Sequence, residues 1–175
     1  MRDYIYPVAL AALIAVLFIG CKKESIQSIT DEEIPAFSGM LTDHSGCKGY
    51  QTEISADKTG DTLSCIEYVY DVSTHKLIMK HINAGFNCCA GSLYCRVNML
   101  GDTIFVEEFE KKPACNCNCL FDLDMEINGL IAKKYHFIFI EPYCGDQEKL
   151  FFDVDFSNVT QGRFCVKRTY YPWGG

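Results

Sequence analysis

From residue 63 onward, apolar and polar positions alternate in short runs, and turn residues separate the runs. "LSCIEYVYDV" (63–72) is rich in β-branched and aromatic side chains, and "KLIMKHINAGF" (76–86) follows a Ser-Thr-His turn. In "SLYCRVNML" (92–100), Leu93, Cys95, Val97 and Met99 share one side, while Tyr94, Arg96 and Asn98 take the other. Gly101-Asp102 then turns the chain into "TIFVEEFEK" (103–111), a hairpin signal. A strand beginning at Cys115 is closed by Asn128-Gly129, and "KKYHFIFIEP" (133–142) is apolar on both faces, as a central strand would be. "KLFFDVDF" (149–156) and "RFCVKRTYY" (163–171) complete about eight strands, with no segment of helical period. This pattern predicts an all-β domain built as an antiparallel sandwich or barrel.

One local feature favours the sandwich. Leu130 precedes Tyr135 by five positions at the start of a strongly apolar strand. The arrangement resembles the tyrosine corner of immunoglobulin-like and fibronectin-III-like sandwiches, in which a tyrosine hydroxyl bonds back to the chain just before it.

Upstream the pattern changes. Arg2 gives a small positive head, and Pro7–Gly20 is apolar but shorter than the roughly 20 residues of a bilayer-spanning helix. It ends in "LFIGC" (17–21), which resembles the lipobox of bacterial lipoproteins. The resemblance implies a signal peptide over 1–20, cleavage after Gly20, and palmitate-type acylation at Cys21. Residues 21–38 are polar, mixed in charge and aperiodic, and read as a lipidated tether. Residues 39–175 then form a single domain. The implied location is the bacterial cell envelope, on the outer membrane and facing the periplasm or the surface.

The formal net charge of −7 argues against a nucleic-acid partner. It leaves the membrane, reached through the lipid, and a protein or glycan ligand as the partners to expect.

The eleven cysteines carry most of the remaining information. In "CNCNCLFDLDME" (115–126), strand geometry puts Cys115, Cys117, Cys119, Phe121, Leu123 and Met125 on one face. Same-face neighbours on one strand stand about 6.5–7 Å apart at Cα with side chains pointing in parallel. They can neither bridge one another nor share one ion whose thiolate ligands lie under roughly 4 Å apart. Each must therefore find a partner elsewhere. Setting Cys21 aside leaves an even number: Cys47, Cys65, Cys88, Cys89, Cys95, Cys115, Cys117, Cys119, Cys144 and Cys165. In an exported chain this reads as a disulfide framework. The expectation is that the 115–119 segment bonds to the 88–95 segment, with Cys88 or Cys89 supplying at least one partner. The competing reading is a soft-metal site for copper(I) or zinc, built from His81, Cys88, Cys89 and Cys117.

"NCC" at 87–89, followed by a hairpin and "CNCNCLFDLDMEINGL", resembles small cysteine-rich secreted lipoproteins of Bacteroidota, over roughly residues 80–145. The resemblance implies an address and a fold, and no activity. "DLDMEING" lacks the glycine and glutamate of a calcium loop, because Ile127 and Lys133 stand in those places. No nucleophile elbow, zinc-protease helix or phosphate-cradling loop is present in the sequence. His44, His75, His81 and His136 are scattered, so no catalytic residue and no cofactor is predicted. The reading at this level is a lipid-anchored envelope protein, a disulfide-stabilised binding or structural module.

Overall fold

The computed structural model describes residues 33–48 and 62–169. Among the described residues nine strands are present: β1 (Ser38–His44), β2 (Leu63–Asp71), β3 (Lys76–Asn87), β4 (Ser92–Leu100), β5 (Thr103–Lys111), β6 (Asn118–Asn128), β7 (Lys134–Ile140), β8 (Phe151–Asp155) and β9 (Gln161–Lys167). They form a five-stranded sheet in the order β1-β6-β3-β2-β9 and a four-stranded sheet in the order β4-β5-β7-β8. Every neighbour pair of the first sheet is antiparallel. In the second sheet β5 and β7 run parallel, where the expectation was antiparallel pairing throughout.

The two sheets enclose one core. On β6, Cys119, Phe121, Leu123, Met125 and Ile127 are all buried, so the apolar stripe of the sequence is the core face. β5 repeats the alternation with Ile104, Val106 and Glu108 inward. β7 is central in its sheet, with Tyr135, Phe137 and Phe139 inward and Ile140 half exposed. Aromatic rings join the sheets. Phe152 of β8 stacks on Phe137 at 5.2 Å and on Phe164 of β9 at 4.9 Å, within the range where aromatic pairs add to area burial. This is a disulfide-rich β-sandwich.

Tight turns set the register. Gly101 takes φ +61 in the β4–β5 hairpin, with Leu100 opposite Thr103. Gly129, after β6, takes φ +78, and a Cβ there would sit 2.5 Å from the Pro35 carbonyl oxygen. The Tyr135 hydroxyl accepts a bond from the Ile131 amide at 3.3 Å, four residues back, and Tyr70 donates to the Leu130 carbonyl at 2.8 Å. Leu130 itself is wholly buried.

One strand was not foreseen, and two local expectations need correction. β1 lies at the edge where the tether was expected to give way to the domain; mostly polar and exposed, it carries no apolar stripe to announce it. It pairs with β6, and Gly39 leaves room for the Val97 side chain. β6 begins at Asn118, so Cys115 and Cys117 precede the strand and do not continue its face. Pro113 and Lys112, the latter at φ +57, break the chain before them. The final strand ends at Lys167. The leader, Cys21 and most of the tether lie outside the described residues.

Candidate functional site

Two arrangements of chemically active side chains stand out, a cystine cluster at one end of the sandwich and an ionic network between the sheets. Among the described residues four bridges are formed: Cys47–Cys119, Cys65–Cys165, Cys88–Cys117 and Cys89–Cys115, with Cα separations of 5.7, 4.1, 5.6 and 5.5 Å. Cys65 and Cys165 face each other across the β2–β9 pair. The other three bridges converge where the ends of β3 and β1 approach the start of β6. Both Cys88 and Cys89 thus bond to the 115–119 segment, as the expectation had it. Cys95 and Cys144 are unbridged, so an even count of cysteines did not mean that all were paired.

The cluster is braced by backbone. Cys88 donates its amide to the Cys117 carbonyl at 2.9 Å. Asn87, buried, donates from Nδ2 to the Cys115 carbonyl at 2.6 Å, and its Oδ1 accepts from the amides of Cys89 (3.0 Å) and Cys115 (3.4 Å). The Asn87 amide in turn donates to Glu110 Oε2 at 3.0 Å, and Tyr143 donates to the other oxygen of Glu110. That hydrogen bond, helped by burial, pushes the Tyr143 phenol up to about 12. On the opposite flank the Ser45 amide bonds to the Asp122 carbonyl at 2.8 Å, and Lys48 pairs with the Asp122 carboxylate. Cys47 is therefore held to β6 by its own loop. The Sγ atoms of Cys47, Cys88 and Cys119, which belong to two different bridges, all lie within 4.8 Å of one another.

The second arrangement occupies the inner face. Ser64 Oγ lies 2.8 Å from His81 Nε2, and His81 Nδ1 lies 2.7 Å from Glu108 Oε1. Arg168 donates to both oxygens of Glu141 at 2.6 and 2.7 Å, to Ser64 Oγ at 3.2 Å and to Cys144 Sγ at 2.7 Å. The His81 and Arg168 side chains are wholly buried and those of Glu108 and Glu141 nearly so. Burial works against protonation of His81, but the charge and hydrogen bond of Glu108, with Glu141, outweigh it and raise its pKa. Burial raises Glu108 as well, against the pull of His81. The unbridged thiols border this network. Cys95 is opposite Glu108 on the β4–β5 ladder and is pushed up to about 12 by burial and then by that carboxylate. Burial, followed by Glu141, raises Cys144.

The Ser64–His81–Glu108 distances are those of a nucleophile, base and orienting acid. Yet Ser64 is wholly buried and its oxygen also accepts from Arg168. An acyl group cannot approach that oxygen without displacing the core around it. The network therefore reads as an internal polar staple: paired charges that tie β2, β3, β5 and the segments after β7 and β9 together.

The expected metal set of His81, Cys88, Cys89 and Cys117 is not assembled. Cys88 and Cys117 bridge each other, Cys89 bridges Cys115, and both ring nitrogens of His81 are engaged by Ser64 and Glu108. His136 pairs with Asp153 on the surface. Sequence reasoning missed the ionic network, whose members lie far apart in the chain. One signal pointed to it: Glu108 takes the inward phase of an alternating strand, where a lone carboxylate demands a partner. On the outer face of the five-stranded sheet, Tyr68, Val69, Ile78, Lys80, Gly162 and Arg163 line an open groove of about 500 Å³.

With the fold and both arrangements in view, the class is that of a disulfide-stapled β-sandwich. No protein-family description, no curated protein and no solved structure matches this chain. Among the described residues, no helix is long and apolar enough to cross a membrane.

Proposed function

We propose that the chain is a lipid-anchored cell-envelope protein whose sandwich serves as a binding or structural module. The observation that carries the reading is the set of four bridges, because disulfides persist in oxidising compartments and seldom in the cytosol. The apolar leader ending in "LFIGC" (17–21) supplies the export route, and Cys21 the point of attachment. The resemblance to cysteine-rich lipoproteins of Bacteroidota supports the same address, on the outer membrane. Acylation with two or more chains holds a protein stably to a bilayer, whereas one chain is marginal.

The module presents loops at the ends of the sandwich and the groove on the β2–β3–β9 face, where Val69 and Ile78 are half exposed. A protein or glycan ligand suits such a surface, which carries both apolar area and the paired charges of Glu67 and Arg163. The test is intact-mass and peptide analysis of the membrane fraction of the native host. The expected result is a chain beginning at an acylated Cys21, and release of a Cys21→Ala variant from the membrane. An unmodified chain recovered from the soluble fraction would overturn the reading.

A further inference from the structure

The cystine cluster is built from three separate chain segments that converge on one point: the loop after β1, the end of β3 and the 115–119 stretch. Cys47 comes from the loop after β1, Cys88 from the end of β3, Cys117 from the approach to β6 and Cys119 from β6 itself. Three of their sulfurs, drawn from two different bridges, lie within 4.8 Å of one another. The fourth, Cys117, is bonded to Cys88. A tetrahedral thiolate site needs sulfur atoms about 2.3 Å from the ion and so roughly 3.8 Å apart. Cys88 Sγ stands no more than about an ångström beyond that spacing from the sulfurs of Cys47 and Cys119, and those two, bonded to each other in the oxidised chain, separate on reduction. Three thiols on a single regular strand cannot meet this condition, but thiols on three converging segments can, because Cys117 lies ahead of β6 and is not held to the direction of Cys119.

We infer that Cys47, Cys88, Cys117 and Cys119 form a latent soft-metal site that opens when the Cys47–Cys119 and Cys88–Cys117 bridges are reduced, and that it takes zinc or copper(I). The chemistry is balanced by a dithiol reductant. For each bridge, one reductant molecule closes to its own disulfide, giving up two electrons and two protons, and the cystine becomes two thiols. A zinc ion then replaces the four S–H protons with four zinc–sulfur bonds and releases those protons to water. In the oxidised chain the same four sulfurs are bonded to one another and hold no ion.

Three features favour this site over random thiol capture. The segments are also joined by contacts other than the bridges: the bond from the Cys88 amide to the Cys117 carbonyl, the bonds between Ser45 and Asp122, and the β3–β6 ladder. Cys117 is exposed, which gives a reductant a point of attack, while Cys119 is buried, which shields a bound ion. The neighbouring Cys89–Cys115 bridge does not belong to the three-sulfur group and serves as an internal control. The inference is independent of the lipid anchor.

The experiment is anaerobic titration of the whole chain with cobalt(II) as a spectroscopic stand-in for zinc, before and after phosphine reduction and desalting. The expected result is one cobalt per reduced chain, with the intense visible bands of a tetrahedral thiolate complex, displaced by zinc, and no such bands in the oxidised chain. Cys47→Ser combined with Cys119→Ser should weaken binding by more than about tenfold, while Cys89→Ser combined with Cys115→Ser should leave it unchanged. Titration in denaturant gives the reference for an unfolded chain. Absence of stoichiometric binding, equal binding by the Cys47/Cys119 variant, or binding as tight in denaturant as in buffer would each overturn the inference.

Discussion

His81 of β3 and Glu108 of β5 belong to different sheets and meet between them, Nδ1 to Oε1 at 2.7 Å, with neither side chain more than 1% exposed. The contact continues on one side to Ser64 and from there to Arg168, Glu141 and Cys144. Removing one member leaves a buried group without its partner. Glu108→Ala should therefore cost about 3–5 kcal/mol in urea unfolding. Replacing both partners with apolar residues, His81→Phe with Glu108→Leu, should recover most of that loss. A double variant as unstable as the single one would mean that the pair is not an isolated unit.

The same pair makes stability depend on pH in one direction. Against the cost of burial, Glu108 and then Glu141 raise His81 above 6.5. A base raised on folding contributes stability that is whole below its unfolded value of 6.5 and is lost as pH climbs through the folded value. Burial lifts Glu108 above 4.5 despite His81, and an acid raised on folding loses stability in the same direction. The native state thus holds more protons than the unfolded chain. The urea midpoint should fall as pH rises above about 6.5, with a slope of up to ~1.4 kcal/mol per pH unit for each proton. His81→Gln should flatten the profile. A midpoint that climbs between neutral and alkaline pH would contradict this account of the network.

The two unbridged thiols should resist modification in the native state. With Cys95 pushed up to about 12 and Cys144 buried, little thiolate is exposed at mildly alkaline pH. Alkylation of both should be more than about a hundredfold slower in the folded chain than in denaturant. Mass spectrometry of timed aliquots checks this, and rapid native labelling of Cys144 would show that its cover opens readily.

Two glycines separate backbone strain from steric contact. Gly101 and Gly129 both sit at positive φ, but a Cβ meets nothing within 4 Å at Gly101 and the Pro35 carbonyl at 2.5 Å at Gly129. Gly101→Ala should cost about 1 kcal/mol, the ordinary penalty of that conformation. Gly129→Ala should cost more, about 2–3 kcal/mol or above, because the segment leading into β1 must also move. Equal costs for the two would show that this segment yields freely.

Period-two reading found β6 from Cys119 onward and β4, the Gly101-Asp102 turn located β5, and an apolar run on both faces marked β7 as a central strand. Pattern reading failed at β1, where an edge strand with one half-covered face carries almost no apolar signal. It also failed at Cys115 and Cys117, whose alternation mimics a strand although Pro113 and the bridges to Cys88 and Cys89 hold them outside it. That the 115–119 cysteines pair outside their own run was legible from the extended spacing, whereas Cys88 and Cys89 as partners were an expectation that this geometry did not dictate. The pairing of Cys47 with Cys119, over a separation of 72 residues, was not legible. Nor was the ionic network, because Ser64, His81, Glu108, Glu141 and Arg168 converge only once both sheets have packed.

The disulfide map of the purified, unreduced chain bears most directly on the account as a whole. Peptide mass spectrometry with thiols blocked before digestion should return Cys47–Cys119, Cys65–Cys165, Cys88–Cys117 and Cys89–Cys115, with Cys95 and Cys144 carrying the blocking group. Linkage of Cys95 or Cys144 to any of the other eight, or free thiols throughout the 115–119 segment, would contradict it.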